Sequence, residues 1–201
     1  MTEREARSEL AGVCSRLYER RLTFSAGGNV SVRVGDAVLI TPSGRNKGSL
    51  APGDMVLVGM DGVPLSGGRP SIETGFHIAL YRKRKDVNAV VHCHPPWSTA
   101  LSVTGGKIEP YTPEGALLLG NVAVIPYHMP GSGALVEAVA AASGSDAMLM
   151  AHHGALTQGS DLEEAYNRME ELELQAFLQH LCKGSPPMGP DDIAAVRRAY
   201  P

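Results

Sequence analysis

The sequence predicts an α/β fold in which a mixed, largely buried β-sheet is covered by amphipathic helices. Three observations support this prediction. Short apolar segments of strand length recur along the chain, segments with apolar residues at helical spacing lie between them, and 43% of the 201 residues are hydrophobic. We expect residues 1–201 to form a single domain, whose last part, residues 183–201, is a C-terminal tail.

The first predicted helix covers about residues 2–20. Leu10 and Leu17 lie among charged residues at a spacing that places them on one helical face. Thr2 and Glu5 have the spacing of a capping box, in which each side chain bonds the backbone N–H of the other residue. The chain therefore begins with an amphipathic helix.

A β-hairpin and a second helix follow. Apolar residues alternate over 30–34 and 37–40 on either side of a Gly-Asp pair, which is typical of a tight hairpin turn. Residues 55–58 and a turn at 61–62 suggest another strand pair. Residues 72–81 are predicted to be helical, and the basic run that follows them suits the negative end of a helix.

The middle of the chain, residues 88–151, contains three more predicted strands and two helices. Residues 88–94 form a nearly unbroken apolar strand that two prolines end, and a short helix is predicted over 97–103. Two further apolar strands, 122–126 and 147–151, flank an alanine-rich helix over about 132–142. Nearly continuous apolar strands indicate a sheet that is buried on both faces.

The last long helix is predicted over 161–181, where apolar residues repeat at helical spacing and charged residues occupy the other positions. We expect it to cover the core. Residues 183–190 are rich in proline and glycine and are predicted to be non-helical. A short helical turn is expected around 193–198.

Composition and charge narrow the classes of partner. The chain has 18 basic and 21 acidic side chains and a formal net charge of −3, so no excess of positive charge favours nucleic acid or an anionic membrane surface. No apolar run approaches the roughly 20 residues of a membrane helix, and no leader segment is recognisable. Cys14, Cys93 and Cys182 form no CxxC pair. We expect a cytoplasmic protein that acts on a small molecule.

Three histidines form a candidate metal site. His92 and His94 are two residues apart on a predicted strand, so both imidazoles project from one face of the sheet. His152 and His153 follow another apolar strand and precede Gly154. Three neutral imidazoles with one open position suit a catalytic zinc ion, although other divalent metals accept the same ligands.

An acidic residue and several small polar residues form a second candidate group. Glu73 lies at the start of a predicted helix, where a carboxylate is also favoured simply by the helix dipole. Glycine-rich loops, hydroxyl groups and a helix N-terminus are the features that bind a phosphate dianion. Ordinary turns use the same residues, so both interpretations stay open at this point. The candidates are Gly28, Asn29, Ser43, Gly44 and Ser71.

Five motifs, taken together, resemble those of the class II aldolase/adducin family, and within it the fuculose-1-phosphate aldolases. The resemblance covers about residues 5–182 and implies a three-layer α/β/α fold with a mixed, mainly antiparallel sheet. It also implies zinc dependence and a homotetramer with active sites at subunit boundaries. The motifs are Gly28-Asn-Val-Ser31, Thr41-Pro-Ser-Gly44, Pro70-Ser-Ile-Glu73, His92-Cys-His-Pro95 and His152-His-Gly154.

The resemblance also assigns roles. Glu73 becomes the general acid and base. Ile72 departs from the pattern, because the aldolases often have a second serine there. The metal ligands are His92, His94 and His153, with one Zn²⁺ per subunit. The residues that hold the substrate phosphate are Gly28, Asn29, Ser43, Gly44 and Ser71.

A second acid or base is expected at the aldehyde oxygen, where the resembled aldolases use a tyrosine from a neighbouring subunit. Tyr111 aligns with that position only after a small shift, and Glu114 is the alternative. Tyr200 resembles a C-terminal tyrosine that covers the site. Three other polar residues are not assigned to the site. His77 is four residues after Glu73 and could touch it, but a packing or helix-surface role is expected. Arg45 and Lys47 could steer a phosphate, but loop residues that aid solubility are expected.

The predicted function is zinc-dependent, reversible cleavage of a ketose 1-phosphate to glycerone phosphate and an aldehyde. The same metal site could instead serve a related dehydratase for methylthioribulose phosphate, an epimerase or a decarboxylase. Glu73 argues against an epimerase, for which the family usually has aspartate. A non-catalytic scaffold of the adducin type is the remaining alternative, but it would be expected to lack the three histidines.

Overall fold

The structure is a computed structural model that describes residues 2–200. Within that range there are seven α-helices: α1 (Glu3–Glu19), α2 (Thr74–Lys83), α3 (Pro96–Val103), α4 (Pro113–Leu118), α5 (Gly133–Ala141), α6 (Leu162–Leu181) and α7 (Pro190–Ala199). The same residues contain seven β-strands: β1 (Asn29–Val34), β2 (Ala37–Ile40), β3 (Val56–Gly59), β4 (Ala89–Cys93), β5 (Val122–Ile125), β6 (Ala147–Met150) and β7 (Gly154–Gly159).

The seven strands form one sheet with the order β3-β2-β1-β4-β7-β6-β5. Every neighbouring pair is antiparallel except β5 and β6, which are parallel and are connected by α5. The prediction of a mixed, mainly antiparallel sheet is therefore confirmed. The topology brings β4 and β7 together in the middle of the sheet, although about 60 residues separate them in the sequence.

Helices cover both faces of the sheet and give the three-layer α/β/α arrangement. One hydrophobic core contains residues of α1 and α6, and the other contains residues of α2 and α5. Strand β4 shows why there are two cores: Ala89, Val91 and Cys93 face α1 and α6, whereas Val90 faces α2 and α5. Alternation along a strand sends successive side chains to opposite faces, and here both faces are apolar. His92 consequently points to the same side as Val90.

Several local predictions are confirmed. The capping box at the start of α1 is complete, with the Glu5 N–H bonded to the Thr2 hydroxyl. Strands β1 and β2 form the predicted hairpin, and Gly35 adopts a positive φ of 58° in its turn. The predicted strand over residues 88–94 is β4, and the predicted helix over residues 97–103 is α3.

Helix α6 is the predicted core-covering helix. Asp161 caps its N-terminus by accepting a hydrogen bond from the Glu164 N–H at 2.8 Å. Its buried face includes Leu162, Met169 and Leu172. Between residues 2 and 200, no helix combines enough length with enough apolar character to cross a membrane.

The structure differs from the sequence predictions in the region after β2. The second strand pair is not formed: β3 pairs with β2, and the segment after the turn contributes only an isolated bridge between Val58 and Pro64. Proline and the surrounding glycines prevent a regular ladder there. Helix α2 begins at Thr74, two residues later than predicted.

Two elements, β7 and α4, were not predicted at all. The sequence of β7 carries little apolar periodicity, yet all six of its residues are buried because β4 and β6 flank it. Helix α4 has only six residues, begins with a proline and is capped by Thr112. Tertiary pairing in the first case and local capping in the second override weak sequence periodicity.

The C-terminal segment is more ordered than the predicted tail. The turn expected around 193–198 is part of the ten-residue helix α7, which packs against α4. Arg197 Nε donates to the Ala116 carbonyl at 3.0 Å, and the Met188 N–H donates to the Pro110 carbonyl at 2.9 Å. None of the ten residues of α7 is fully buried, but Ile193, Ala194 and Val196 are half-buried, so apolar as well as polar contacts attach the helix.

Candidate active site

The three predicted metal ligands converge at one end of the central strands. His92 is on β4, His94 follows that strand, and His153 precedes β7. Because Cys93 pairs with Ala155 in the antiparallel ladder, the end of β4 meets the start of β7. One nitrogen from each of the three imidazoles lies within 4.8 Å of the others. The sheet therefore forms a compact cluster from residues that are about 60 positions apart.

The three imidazoles are held in their neutral form, which is the form that binds metal. Burial lowers the pKa of His92 well below its usual value, and it lowers the pKa of His94 to about 4. Burial also lowers the pKa of His153, although the carboxylate of Glu73 acts in the opposite direction. His92 Nδ1 donates to the Ala155 carbonyl at 2.8 Å, which leaves Nε2 as the nitrogen with a free lone pair.

The chemistry of these donors fits a divalent metal ion. His92 Nε2 and His94 Nε2 are 3.2 Å apart, and His153 lies beside both rings. Three neutral nitrogen donors without a thiolate suit zinc and several other first-row metals. His153 is placed by His152, which adopts a positive φ of 54° in the turn between β6 and β7.

Glu73 lies against this histidine cluster. Its Oε2 is 3.4 Å from His92 Nε2 and its Oε1 is 3.5 Å from His153 Nε2. The residue occupies the N-cap position of α2, where the Ser71 hydroxyl accepts a hydrogen bond from the Glu73 N–H at 3.2 Å. Only 6% of Glu73 is exposed, and Oε1 has no hydrogen-bond partner among residues 2–200. A carboxylate in this position can exchange a proton with a small molecule bound beside the histidines.

The residues proposed to hold phosphate line the same cavity, which has a volume of about 320 Å³. The side chain of Ile72, where many of the resembled aldolases have serine, is 59% exposed and also borders the cavity. The glycines and hydroxyls supply small polar groups around an anion-sized space. The predicted phosphate residues that line it are Gly28, Asn29, Ser43, Gly44 and Ser71.

Two glycines allow the backbone to approach the histidines closely. Gly28 has a φ of +68°, and a Cβ atom there would lie 2.5 Å from the His92 carbonyl oxygen. A Cβ atom on Gly154 would collide with the Cys93 carbonyl oxygen and would lie 2.7 Å from His94 Cδ2. Glycine is required at both positions because any side chain would collide with β4 or the residue after it.

His77 is a site residue that the sequence argument missed. His77 is fully buried, which agrees with the packing alternative and excludes the helix surface, but both of its ring nitrogens are also hydrogen-bonded, which the sequence did not predict. Nε2 is 2.5 Å from Asn29 Oδ1, and Asn29 Nδ2 donates to Glu73 Oε2 at 2.8 Å. The amide of Asn29 thus contacts Glu73 and His77 as well as bordering the predicted phosphate site. The four-residue spacing of Glu73 and His77 was the available signal.

The role expected for Lys47, a loop residue that aids solubility, is wrong because its side chain is buried. It is only 3% exposed, it borders the cavity, and its Nζ donates to the carbonyls of Ala26 and Arg45 at 3.0 and 2.9 Å. Burial lowers the pKa of its ammonium group. Arg45 is exposed and pairs with Asp54 at 3.3 Å, as expected for a surface residue. Lys47 therefore joins the two loops that border the predicted phosphate site.

The candidates for the second acid or base do not line the cavity of their own chain. Tyr111 Oη donates to the Ser185 carbonyl at 3.3 Å, and Gln175 Oε1 accepts a hydrogen bond from the Tyr111 N–H at 2.6 Å. Glu114 is exposed in the first turn of α4, and Tyr200 is 69% exposed after α7. A role for any of them in the site of a neighbouring subunit stays a prediction.

A larger cavity of about 560 Å³ lies between the segment 20–22 that follows α1, the start of α3, and α6. Trp97, Leu174 and Phe177 line part of it, and its charged residues include Arg20 and Glu170, which form an ion pair at 2.6 Å. Its lining includes none of the three clustered histidines. The smaller cavity beside the histidines is therefore the candidate active site.

Fold and site together define a class of protein: a three-layer α/β/α protein with a three-histidine site suited to a metal ion and a buried carboxylate beside it. Residues 8–180 match the Class II Aldolase and Adducin N-terminal domain. The chain therefore belongs to the class II aldolase and adducin family, as its five motifs indicated.

Individual relatives have different activities. The L-fuculose phosphate aldolase of Methanocaldococcus jannaschii is 39% identical over 166 residues, which cover 83% of this chain and 91% of that relative. The 3-oxo-tetronate 4-phosphate decarboxylase of Escherichia coli strain K12 is 40% identical over 183 residues, covering 88% and 86%. The crystal structure of YgbL from Escherichia coli, for which aldolase, epimerase and decarboxylase are named as alternatives, superposes with a TM-score of 0.91 at 36% identity, covering 97% and 99%.

Proposed function

We propose that the protein is a zinc-dependent lyase that cleaves a ketose 1-phosphate to glycerone phosphate and an aldehyde. The observation that carries the proposal is the position of Glu73, whose two oxygens lie 3.4 and 3.5 Å from nitrogens of His92 and His153. Beside it is a cavity lined by glycines and serines that suits a phosphate group. The similarity to the Methanocaldococcus jannaschii aldolase supports this choice.

His92, His94 and His153 would hold the metal ion. When bound, this ion supplies the positive charge that stabilises an oxyanion next to the bond that breaks. The glycine and serine loops would bind the phosphate group and so place the three-carbon part of the substrate against Glu73. Burial of Glu73 excludes bulk water from the proton that it transfers.

The proton transfer follows from the chemistry of aldol cleavage. The bond between C3 and C4 breaks, and its electron pair stays with C3 and spreads onto the C2 oxygen as an enediolate. Glu73 gives its carboxyl proton to C3, which completes glycerone phosphate. The C4 hydroxyl loses its proton to a second base as the aldehyde forms. No net proton is therefore taken up.

Decarboxylation of a phosphorylated 3-oxo acid is the second candidate. In 3-oxo-tetronate 4-phosphate the bond between C1 and C2 breaks, CO₂ leaves, and the electron pair on C2 gives the same enediolate of glycerone phosphate. Glu73 would again protonate carbon, and one proton would be consumed in each turnover. This reaction deprotonates no hydroxyl and so needs no second base, and among residues 2–200 the titratable side chains that line the cavity are Lys47, Glu73, His94 and His153. The Escherichia coli decarboxylase relative supports it independently.

The two reactions can be separated by their products. Zinc-reconstituted protein should be incubated with a panel of ketose 1-phosphates and, separately, with 3-oxo-tetronate 4-phosphate. Glycerone phosphate, aldehyde and CO₂ should be measured in each case. We expect release of glycerone phosphate and aldehyde, with loss of both in the His94→Ala and Glu73→Gln variants. Release of CO₂ with no cleavage of any ketose phosphate would replace the aldolase proposal by the decarboxylase one.

We also propose that the active protein is a homotetramer in which Tyr111 acts at the site of a neighbouring subunit. Tyr111→Phe should then slow aldol cleavage, because the C4 hydroxyl needs a base, and should leave decarboxylation unchanged. Sedimentation velocity would give the oligomeric state. A monomer that is fully active, or a Tyr111→Phe variant that cleaves the ketose phosphate at the wild-type rate, would contradict this proposal.

A further inference from the structure

A continuous row of buried polar side chains leads away from Glu73 into the interior. Asn29 contacts Glu73, His77 contacts Asn29, Ser31 contacts His77, and Tyr81 contacts Ser31. The four distances are 2.8, 2.5, 2.7 and 2.7 Å. Every member of the row is buried, so each hydrogen bond is made away from water and is costly to break.

The hydrogen bonds in this row have one consistent direction. The carboxylate of Glu73 can only accept, so the amide of Asn29 must present Nδ2 to it and Oδ1 to His77. Oδ1 is an acceptor, and His77 Nε2 must therefore carry the hydrogen. His77 Nδ1 then accepts from the Ser31 hydroxyl, which in turn accepts from Tyr81 Oη. All four donors point towards Glu73.

The two carboxylate oxygens of Glu73 have different hydrogen-bonding environments. Oε2 receives the hydrogen bond from Asn29, whereas Oε1 is buried without a partner in the described part of the chain and faces His153. A carboxyl group places its proton on the oxygen that is not already accepting a strong hydrogen bond. In the protonated form, rotation that turned the O–H towards Asn29 would be opposed, because it would place that donor against the Nδ2 donor of an amide that His77 holds in place.

We propose that His77 is a positioning residue for Glu73: acting through Asn29, it makes Oε2 the fixed acceptor and Oε1 the oxygen that exchanges a proton with the substrate carbon. This inference rests on the proposed function, because it assigns the atom that transfers the proton. In that step the O–H bond at Oε1 breaks, a C–H bond forms at the enediolate carbon, and the negative charge moves from the enediolate to the carboxylate.

The first test examines the row without any substrate. Histidine-selective ¹⁵N labelling and long-range ¹H–¹⁵N NMR of the zinc-loaded protein would give the tautomer of His77. We expect the Nε2–H tautomer. An Nδ1–H tautomer would reverse the donors of the row and would overturn the proposal, whatever the protein catalyses.

The second test measures the proton transfer alone. NMR can follow exchange of a hydroxymethyl hydrogen of added glycerone phosphate with deuterium from the solvent, a partial reaction that needs Glu73 but no leaving group. His77→Phe keeps a ring that can stack on Phe76 but removes both nitrogens. We expect exchange to slow by about 10- to 100-fold, as for other residues that orient a catalytic group, while zinc content and the affinity for glycerone phosphate stay within about twofold.

Two further variants show whether a slower exchange is due to loss of the hydrogen bond from His77 to Asn29. His77→Gln can still donate an N–H to Asn29 and should recover most of the exchange rate. His180→Phe makes the same chemical change on α6, where His180 packs on Trp97, and should leave exchange unaffected. Equal losses in His77→Phe and His77→Gln, or an unchanged rate in His77→Phe, would overturn the positioning role. No exchange in the wild-type protein would instead contradict the proposed function, and the NMR tautomer would still decide the direction of the row.

Discussion

Asn29 on β1 lies directly opposite His92 on β4 in the antiparallel ladder, and its side chain donates to Glu73 Oε2 at 2.8 Å. One register position therefore links the glycine-rich loop, a metal-ligand candidate and the carboxylate that we propose to be catalytic. A shift of β1 by one residue would turn Asn29 to the opposite face and break all three connections. The accuracy of the site thus depends on how β1 and β4 pair.

Replacement of Gly28 by alanine should destabilise the protein more than the same change in an ordinary turn. A Cβ atom at Gly28 would lie 2.5 Å from the His92 carbonyl oxygen at a φ of +68°. We expect Gly28→Ala to cost about 2–4 kcal/mol, from left-handed backbone strain and displacement of the strand. Urea unfolding monitored by circular dichroism would measure it.

Gly35→Ala is the matched control for that change. Gly35 also has a positive φ, +58°, but a Cβ atom there would meet no other atom of residues 2–200 within 4 Å. We expect a cost of only about 1 kcal/mol, which is the strain alone. Equal costs at the two positions would show that close approach to β4 has no energetic weight.

Metal binding should distinguish the two adjacent histidines at the start of β7. His153 belongs to the three-histidine cluster, whereas His152 lies in the turn and stacks edge-on against Tyr127. His153→Asn should weaken zinc binding by more than about 100-fold, since loss of a ligand exceeds the usual effect of an outer residue. His152→Asn, which tolerates the positive φ, should bind zinc normally in a competition titration with a chelating dye. Similar losses in both variants would contradict the ligand assignment.

The metal-free protein should lose stability as the pH is lowered below about 6.5. Burial lowers the pKa of His77 from its usual 6.5 to about 3, so between these values the unfolded chain binds more protons than the folded one. The free energy of unfolding therefore falls with decreasing pH, by about 1.4 kcal/mol per pH unit for one such group. Urea unfolding at pH 7.5 and 5.5 would measure the slope. His77→Gln should reduce the slope by the contribution of one titrating group, about 1.4 kcal/mol per pH unit. An unchanged slope would contradict the prediction.

Lys47 should contribute to anion binding and to loop order. Its ammonium group joins the carbonyls of Ala26 and Arg45 and borders the cavity. Lys47→Met should weaken binding of glycerone phosphate by about tenfold or more, because both loops lose an anchor and the cavity loses a positive charge. Isothermal titration calorimetry would measure the affinity. Arg45→Met, at the exposed neighbouring position, should change it by less than about twofold, and comparable effects would remove the special role of Lys47.

Much of the fold could be predicted where local signals are strong. The helix capped by Thr2 and Glu5, the hairpin around Gly35 and the strand that carries His92 all have clear periodicity or turn chemistry. Strand β7 could not be predicted, because its sequence is ambiguous and its burial comes from β4 and β6 on either side. Helix α7 was predicted only as a short turn because its apolar residues are few: Ile193, Ala194 and Val196 are half-buried, and Arg197 donates to the Ala116 carbonyl on α4.

For the site, the chemical groups could be predicted from the amino-acid sequence: three imidazoles, one carboxylate and the small polar residues of the predicted phosphate loops. This was possible because side chains two apart on a strand share a face, and because short motifs keep their spacing. That His77 and Lys47 lie at the site is visible only in the folded chain. Their environment is set by β1, β4 and the glycine loop, which are distant along the chain, and burial turns an ordinary helix histidine and loop lysine into fixed hydrogen-bonding groups.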